Sequence, residues 1–418
     1  MTHPAQLAAC ELIEDLVGRL RTLETPEHYY EFQRLLFSHL IEVERLQAEA
    51  TRNVKREKPG RPVPAAPHGS WQLEQVVLDR IARQLRSVGD GLAWRIHGFD
   101  RRIIFALSRN QPAGPMYGKA GLERELGELQ AVWQNERAFA LLHGVTNCMR
   151  IADMTKFLDG RVLLVEVKAK ATGPTSTQMK RIQEVIDVVN RGAPLRGPDG
   201  KLSALFMAKQ PFKTQLGMLA MALERADANG ISATRLGRHW VVTCVSLTSP
   251  NLPPDDTAVE QLATLRVRAF EKADMAGQAQ HHLRGVRPDA IGRDPSLAPF
   301  SIYPFTPDVR ARLTCELLNY ESVMRWERLA AAFQAKGFKT ECPLPESSDP
   351  LTGSAPVLHA IKGSRGMTIH GTGATQILYE LIDPKAWAAA ASQAFEAWSD
   401  GSTPSGVFTF ANERAVWR

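Results

Sequence analysis

Residues able to do chemistry concentrate in one stretch, Ile151 to Lys170, which reads IADMTKFLDGRVLLVEVKAK. Asp153 lies on one side of Asp159-Gly160 and Glu166 and Lys168 on the other. That dipeptide supplies the two positive-φ positions of a two-residue hairpin turn. With such a turn Leu158 faces Arg161, and counting back along both strands sets Asp153 directly opposite Glu166. Side chains alternate along a strand, so Glu166, Lys168 and Asp153 share a face. Two carboxylates whose Cβ atoms are about 4.5–5.5 Å apart repel each other unless a cation lies between them. A hard divalent ion completed by water suits that gap, and Lys168, one step further, suits holding or deprotonating a water. Charges on a strand more often mark a solvated face. Here, however, Val162 and Leu164 on one face and Leu163, Val165 and Val167 on the other make the strand apolar on both sides. A strand of that kind is buried at one end and functional at the other. The register holds only if no bulge interrupts it.

An acid, a hairpin, and E-x-K on an apolar strand, with a helix before and another after, resembles the PD-(D/E)xK nuclease superfamily from roughly Lys119 to Met207. The resemblance implies an α/β fold with a restriction-endonuclease-like mixed sheet core flanked by helices. It implies Mg²⁺, or Mn²⁺ in its place, on Asp153 and Glu166, with Lys168 positioning the attacking water. Some members add a carboxylate from the helix before the hairpin. Glu125 is taken for that role, with Glu128 and Glu136 as alternatives on the same helix. Some branches place a glutamine on the helix after E-x-K, and Gln178 occupies that place; a polar residue in a first helical turn reads equally well. Ala152 stands where the family usually has proline. Lys156, Lys170, Lys180 and Arg181 are near enough in sequence to steer a phosphate backbone, although a solvated helix face explains Lys180 and Arg181 equally.

The implied reaction is hydrolysis of DNA phosphodiester bonds, with RNA open as the other substrate. The alternative is a catalytically silent nucleic-acid-binding or regulatory protein on a nuclease-like fold. An unrelated α/β enzyme in which E-x-K is accidental is the third reading. A nuclease embedded between two further regions is similar to bacterial anti-phage or restriction-type proteins, which leaves a homo-oligomer or a defence-system partner protein open.

The elements that must position these residues read as follows. Residues 1–51 are helical, with Ile13, Leu16, Leu20 and Leu23 at helical spacing and a second amphipathic run from His28 to Ala50. Residues 52–70, basic and proline-rich, read as a solvated linker. Residues 71–250 alternate helix and strand and would hold the nuclease domain. In that region Leu73–Val88 reads as helix, WRIHGF and RRIIFAL as strand-like, and Leu122–Leu142 as one long helix. Beta-rich runs follow at Ile151–Leu158, Val162–Lys168, Leu202–Met207 and Trp240–Leu247, with helices at Gln178–Val189 and Lys213–Ala228. Residues 257–418 read as an α+β region, with a strong helix from Pro307 to Lys336.

Composition narrows the field. The chain's 418 residues allow two or three cores. Its 51 Lys and Arg against 45 Asp and Glu leave a net charge of +6, which permits a polyanionic partner without demanding one. Five scattered cysteines with no CxxC pair argue against a disulfide framework or a thiolate zinc site and fit a reducing cytoplasm. No apolar run reaches the ~18 residues of a membrane helix, and the acidic start lacks a signal pattern, so no membrane partner is expected. GPMYGKAG fails as a phosphate loop because three residues separate its glycines and Ala120 replaces the hydroxyl. No GxSxG or HExxH occurs.

Overall fold

The computed structural model describes residues 3–57, 63–108, 113–158, 161–167, 176–191, 195–196, 202–275, 282–286, 297–343, 356–397, 405–410 and 413–417. The chain is mixed α/β and divides into two compact units, Met1–Leu202 with Ile291–Cys315 and Arg418, and Ser203–Ala290 with Glu316–Trp417. The N-terminal helices therefore belong with the hairpin, and a segment from beyond residue 290 joins them. This division cuts across the expected limits at 52–70 and 250.

In the first unit, α1 (Pro4–Thr22), α2 (Pro26–Glu57), α3 (Trp71–Ile96) and α4 (Arg101–Leu107) precede α5 (Leu122–Ala131). A π turn, Val132–Glu136, then leads into β1 (Phe139–Leu142). The hairpin follows as β2 (Met154–Leu158) and β3 (Arg161–Val165), and α6 (Ser176–Arg191) and β4 (Leu195–Arg196) complete the run. Strands β1, β2 and β3 form an antiparallel meander in that order. Tyr29 of α2 and His97 after α3 bring rings against Phe139 and Phe157 of the meander. Leu129 of α5 and Val132 of the π turn pack with Ala138, Ala140 and Met154, and Val165 and Val167 close that cluster. Strand β1 is an edge, and Gln33 of α2 satisfies part of it. Its amide donates to the Ala140 carbonyl at 3.0 Å and accepts the Leu142 N–H at 2.7 Å. Helix α3 passes so close to the 3₁₀ turn at His143–Val145 that a Cβ on Gly89 would lie 1.9 Å from the Val145 carbonyl oxygen. Only glycine fits that crossing.

Several expected elements take another form. Helix α2 continues to Glu57, and Val63 and Ala66 pack against the Ala50, Trp71 and Leu78 cluster. Trp71 Nε1 donates to the Pro64 carbonyl at 2.8 Å. The described part of the expected tether, 63–70, is thus docked rather than free. The strand-like WRIHGF begins inside α3, and RRIIFAL is α4, started by the Asp100 side chain accepting the Arg102 N–H. Short apolar runs do not distinguish strand from helix by periodicity, and here the cap decides. The single long helix Leu122–Leu142 breaks at Arg137, whose φ of 51° turns the chain out of the π turn into β1.

The second unit centres on a four-stranded antiparallel sheet. In chain order come β5 (Leu202–Ala208), which lies outside that sheet, then α7 (Leu216–Asn229), β6 (Ile231–Gly237), β7 (Trp240–Ser246), α8 (Asp255–Lys272) and β8 (His282–Val286). Helix α9 (Pro307–Thr314) belongs to the first unit. Strand β9 (Leu318–Arg325) completes the sheet in the order β6-β7-β9-β8, and α10 (Trp326–Gln334) follows. The expected helix Pro307–Lys336 is therefore helix, strand, helix. The break comes at Glu316, with φ of 59°, and LNYESVMR alternates buried and half-buried over its first four residues before Ser322–Met324 are buried throughout. Beyond it lie β10 (Lys339–Glu341), β11 (Pro356–Lys362) and β12 (Arg365–His370), an antiparallel meander. They are followed by α11 (Gly371–Tyr379), α12 (Pro384–Ala397), β13 (Ser405–Phe410), parallel to β5, and α13 (Glu413–Trp417). Among the described residues no helix is long and apolar enough to cross a membrane.

Candidate active site

The hairpin carries the expected register along its length, from Leu158 opposite Arg161 to Met154 opposite Val165. The ladder stops one step short of Asp153 and Glu166. A bonded Asp153 in that register would donate to Glu166, yet its N–H donates to the Val165 carbonyl at 3.1 Å. Pairing shifts by one residue just where the acid begins, and with a side-chain period of two such a shift re-aims the side chain. Ala152 prepares the shift with φ of 67°. A proline ring fixes φ near −65°, so this backbone could not accept the family's proline at 152.

The re-aimed Asp153 carboxylate reaches along the strand end. Its Oδ2 accepts the Val167 N–H at 2.8 Å, standing in for a backbone carbonyl. Its Oδ1 meets Lys119 Nζ at 3.2 Å, and the same ammonium lies 2.6 Å from Oε1 of Glu125. Glu125 sits in the first turn of α5 and is 3% exposed. Burial first, and then the nearby Asp153 by charge and by a shared hydrogen bond, raise the Glu125 pKa above the ordinary carboxylate value, against the pull of Lys119. Burial works against the Lys119 ammonium, but its bond to Glu125 and the charge of Asp153 outweigh that and hold its pKa up. Two carboxylates thus share one cation position, at present filled by an ammonium.

No protein-family model, curated protein or solved structure matches this chain.

The other expected site residues are placed as follows. Glu166 follows directly after β3 and is half-buried. Glu125, Asp153 and Glu166 do not bring three carboxylate oxygens within 4.8 Å of one another; among the described residues only His3, His68 and Glu74 form such a trio. Glu128 is exposed on α5, and Glu136, in the π turn, pairs with Lys156. That ion pair, with the Lys156 side chain only 14% exposed, ties down a lysine expected to meet phosphates. Lys180 is exposed and Arg181 half-buried on α6. Gln178 belongs to α6, but its side chain, like Lys168 and Lys170 entirely, lies outside the described residues. A shallow groove of about 610 Å³ along α1, lined by Glu11, Asp15 and Arg19 among others, contains none of the expected site residues.

Two residues at this site escape sequence reasoning. Lys119 stands in the glycine-rich stretch dismissed as a phosphate loop, and nothing in its spacing points to the hairpin. His143, buried behind the strand end, is the other. Its N–H bonds the Asp153 carbonyl at 2.9 Å, its Nδ1 lies 3.0 Å from the Ala152 carbonyl and its Nε2 2.6 Å from the Thr155 hydroxyl. A carbonyl only accepts, so Nδ1 carries the proton and Nε2 accepts from Thr155. In its neutral form the ring ties the Ala152 carbonyl before Asp153 to the Thr155 hydroxyl after it.

Burial, the largest cause, pulls His143 down to about 3, and likewise His97, whose ring lies 5.1 Å from Phe157 and whose nitrogens have no hydrogen-bond partner. Both are neutral in the folded chain, whereas histidines in the unfolded chain titrate near 6.5. Below that pH the unfolded chain binds more protons, so their contribution is intact above about 6.5 and is lost as pH falls toward 3. Each imidazole should cost about 2 kcal/mol of stability at pH 5. Urea melts at pH 7.5 and 5 should show that loss, and His97→Phe should flatten it. Equal slopes in wild type and variant would refute the assignment for His97.

Proposed function

We propose that this chain is a metal-dependent nuclease of PD-(D/E)xK type that hydrolyses DNA phosphodiester bonds. One observation carries the reading: Asp153 at the hairpin's end and Glu125 from the preceding helix converge on a single cation position. The order of helix, hairpin and helix, from α5 through β2 and β3 to α6, supports it. So does the position of Asp153 at one end of the small antiparallel meander.

The donor set fits a hard divalent ion in part. Asp153 and Glu125 offer oxygens, one carboxylate buried and raised in pKa by the other, which is the electrostatic state that a dication relieves. Glu166 follows β3 directly and is a third carboxylate near in sequence, although its oxygens do not converge with those of Asp153 and Glu125. Mg²⁺ held there would supply Lewis-acid polarisation of a scissile phosphate. The protein's own part is positional: the Val167 N–H holds the Asp153 carboxylate, and neutral His143 bonds the Ala152 carbonyl before it and the Thr155 hydroxyl after it. Lys119, ion-paired to both acids and 41% exposed at its side chain, is free to swing out to solvent or to a phosphate when the acids gain another cation.

The second reading, a silent nucleic-acid-binding protein, is favoured by the same ammonium, which already satisfies both acids. Purified chain incubated with Mg²⁺ or Mn²⁺ and circular DNA, linear DNA or RNA separates the two. The nuclease reading expects cleavage by wild type and its loss in Glu166→Ala. Equal activity in both proteins, or inactivity of wild type on every substrate, would favour the silent reading.

A further inference from the structure

A second constellation of metal-ligating side chains, sharing no residue with the acid cluster, joins His3, His68 and Glu74. His3 caps α1, where its Nδ1 accepts the Ala5 N–H at 3.3 Å. Glu74, 5% exposed, stands in the first turn of α3. His68 lies in the docked stretch just before it. Glu74 Oε1 accepts the His68 N–H at 2.8 Å and lies 3.1 Å from His68 Nδ1 and 3.5 Å from His3 Nε2. The two imidazoles meet edge to face with centroids 4.9 Å apart. One ligand atom from each residue lies within 4.8 Å of the other two.

His3 gives the independent pointer. Its side chain is 10% exposed, and Nε2 is buried without a hydrogen-bond partner. A buried polar nitrogen left unsatisfied and aimed at a carboxylate and a second imidazole calls for a ligand. Tetrahedral zinc with arms of about 2.0–2.1 Å sets its ligand atoms roughly 3.3–3.5 Å apart. The two edges to Glu74 bracket that spacing. Two imidazole nitrogens and one carboxylate oxygen are the donors of a borderline transition ion, whereas Mg²⁺ and Ca²⁺ take oxygen.

We propose that His3, His68 and Glu74 bind a zinc-class ion, with water completing the shell. Three segments meet on it: the start of α1, the stretch before α3, and α3 itself. The ion clasps the first two onto the third. Metal on Nε2 moves the His3 proton to Nδ1, so the weak 3.3 Å bond from Ala5 is given up in exchange. The half-exposed His68, at 43% of its side chain, is the side from which the ion enters and leaves.

The test uses full-length protein freed of metal by a chelator. Zn²⁺ is titrated by calorimetry, Co²⁺ is followed by its visible absorption, and thermal melts are recorded with and without Zn²⁺. His68→Ala removes an exposed ligand, and His3→Asn removes the imidazole while keeping a good helix cap. Asp153→Asn is the control for the separate acid cluster. The proposal expects a Zn²⁺ site whose affinity falls at least tenfold in His68→Ala and in His3→Asn and which Asp153→Asn leaves intact. It also expects a tetrahedral Co²⁺ spectrum lost in the same variants, a melting-temperature rise with Zn²⁺ only where the site is intact, and all three signals kept in Asp153→Asn. Wild type that binds neither ion, or variants that bind as tightly as wild type, would overturn it.

Discussion

On the proposed nuclease reading, Asp153→Asn is expected to lower Mg²⁺-dependent DNA cleavage by at least about a hundredfold, a loss of roughly 3 kcal/mol of transition-state stabilisation. The substitution is chosen to separate charge from structure. Asparagine keeps an oxygen that can accept the Val167 N–H, so the end of β3 stays pinned. The negative charge that shares a cation with Glu125 is gone. Without that neighbour the Glu125 pKa should move down toward the ordinary carboxylate value, because the charge of Asp153 helps raise it. The Lys119 ammonium should then rest on Glu125 alone. Single-turnover cleavage read beside Mn²⁺ binding by calorimetry checks both halves of the expectation. An unchanged melting curve in the same variant excludes unfolding as the cause. Full activity in Asp153→Asn would remove Asp153 from the chemistry.

How far the sequence shows this site can be judged residue by residue. The register follows from Asp159-Gly160 and the alternating strands: the structure pairs Met154 to Leu158 with Val165 to Arg161 as expected, while the turn residues themselves lie outside the described residues. The sequence does not decide among Glu125, Glu128 and Glu136, whereas in the structure only Glu125 of the three is buried. The shift at Asp153 was not legible, because it depends on one left-handed alanine and a side chain competing with a carbonyl for the Val167 N–H. Nor was Lys119, which arrives at the hairpin through a loop whose course is set by a residue 75 positions earlier, Glu44. Local pattern reports faces and turns. It does not report which distant carboxylate captures a loop, and that capture places the cation of the site. The same limit explains β9, where a buried strand of eight residues between two helices reads as continuous helix until its pairing with β7 and β8 is known.

That loop capture also predicts the largest stability effect in the chain. Glu44 of α2 is 2% exposed and Arg86 of α3 is 4% exposed. Their side chains form a buried ion pair, and Arg86 also donates to the carbonyls of Gly144 at 3.1 Å and Gly114 at 3.0 Å. The second Glu44 oxygen accepts the N–H groups of Met116 and Tyr117, both at 2.7 Å. Burial drives the Arg86 pKa down, and Glu44 opposes it by charge and by hydrogen bond. Glu44→Ala leaves that charge without a partner and two loop N–H groups without an acceptor. The expected cost is about 3–5 kcal/mol, seen as a fall of roughly 10 °C in melting temperature. Replacing both members, Glu44→Met with Arg86→Met, removes the stranded charge along with its partner and should recover much of that loss. Glu44→Ala should also impair the acid cluster in whatever fraction stays folded, because residues 114–117 lead directly into Lys119. Melts of the single and double variants check the ordering. A Glu44→Ala protein within about 1 kcal/mol of wild type would mean that water reaches Arg86 and the pair is not buried in solution.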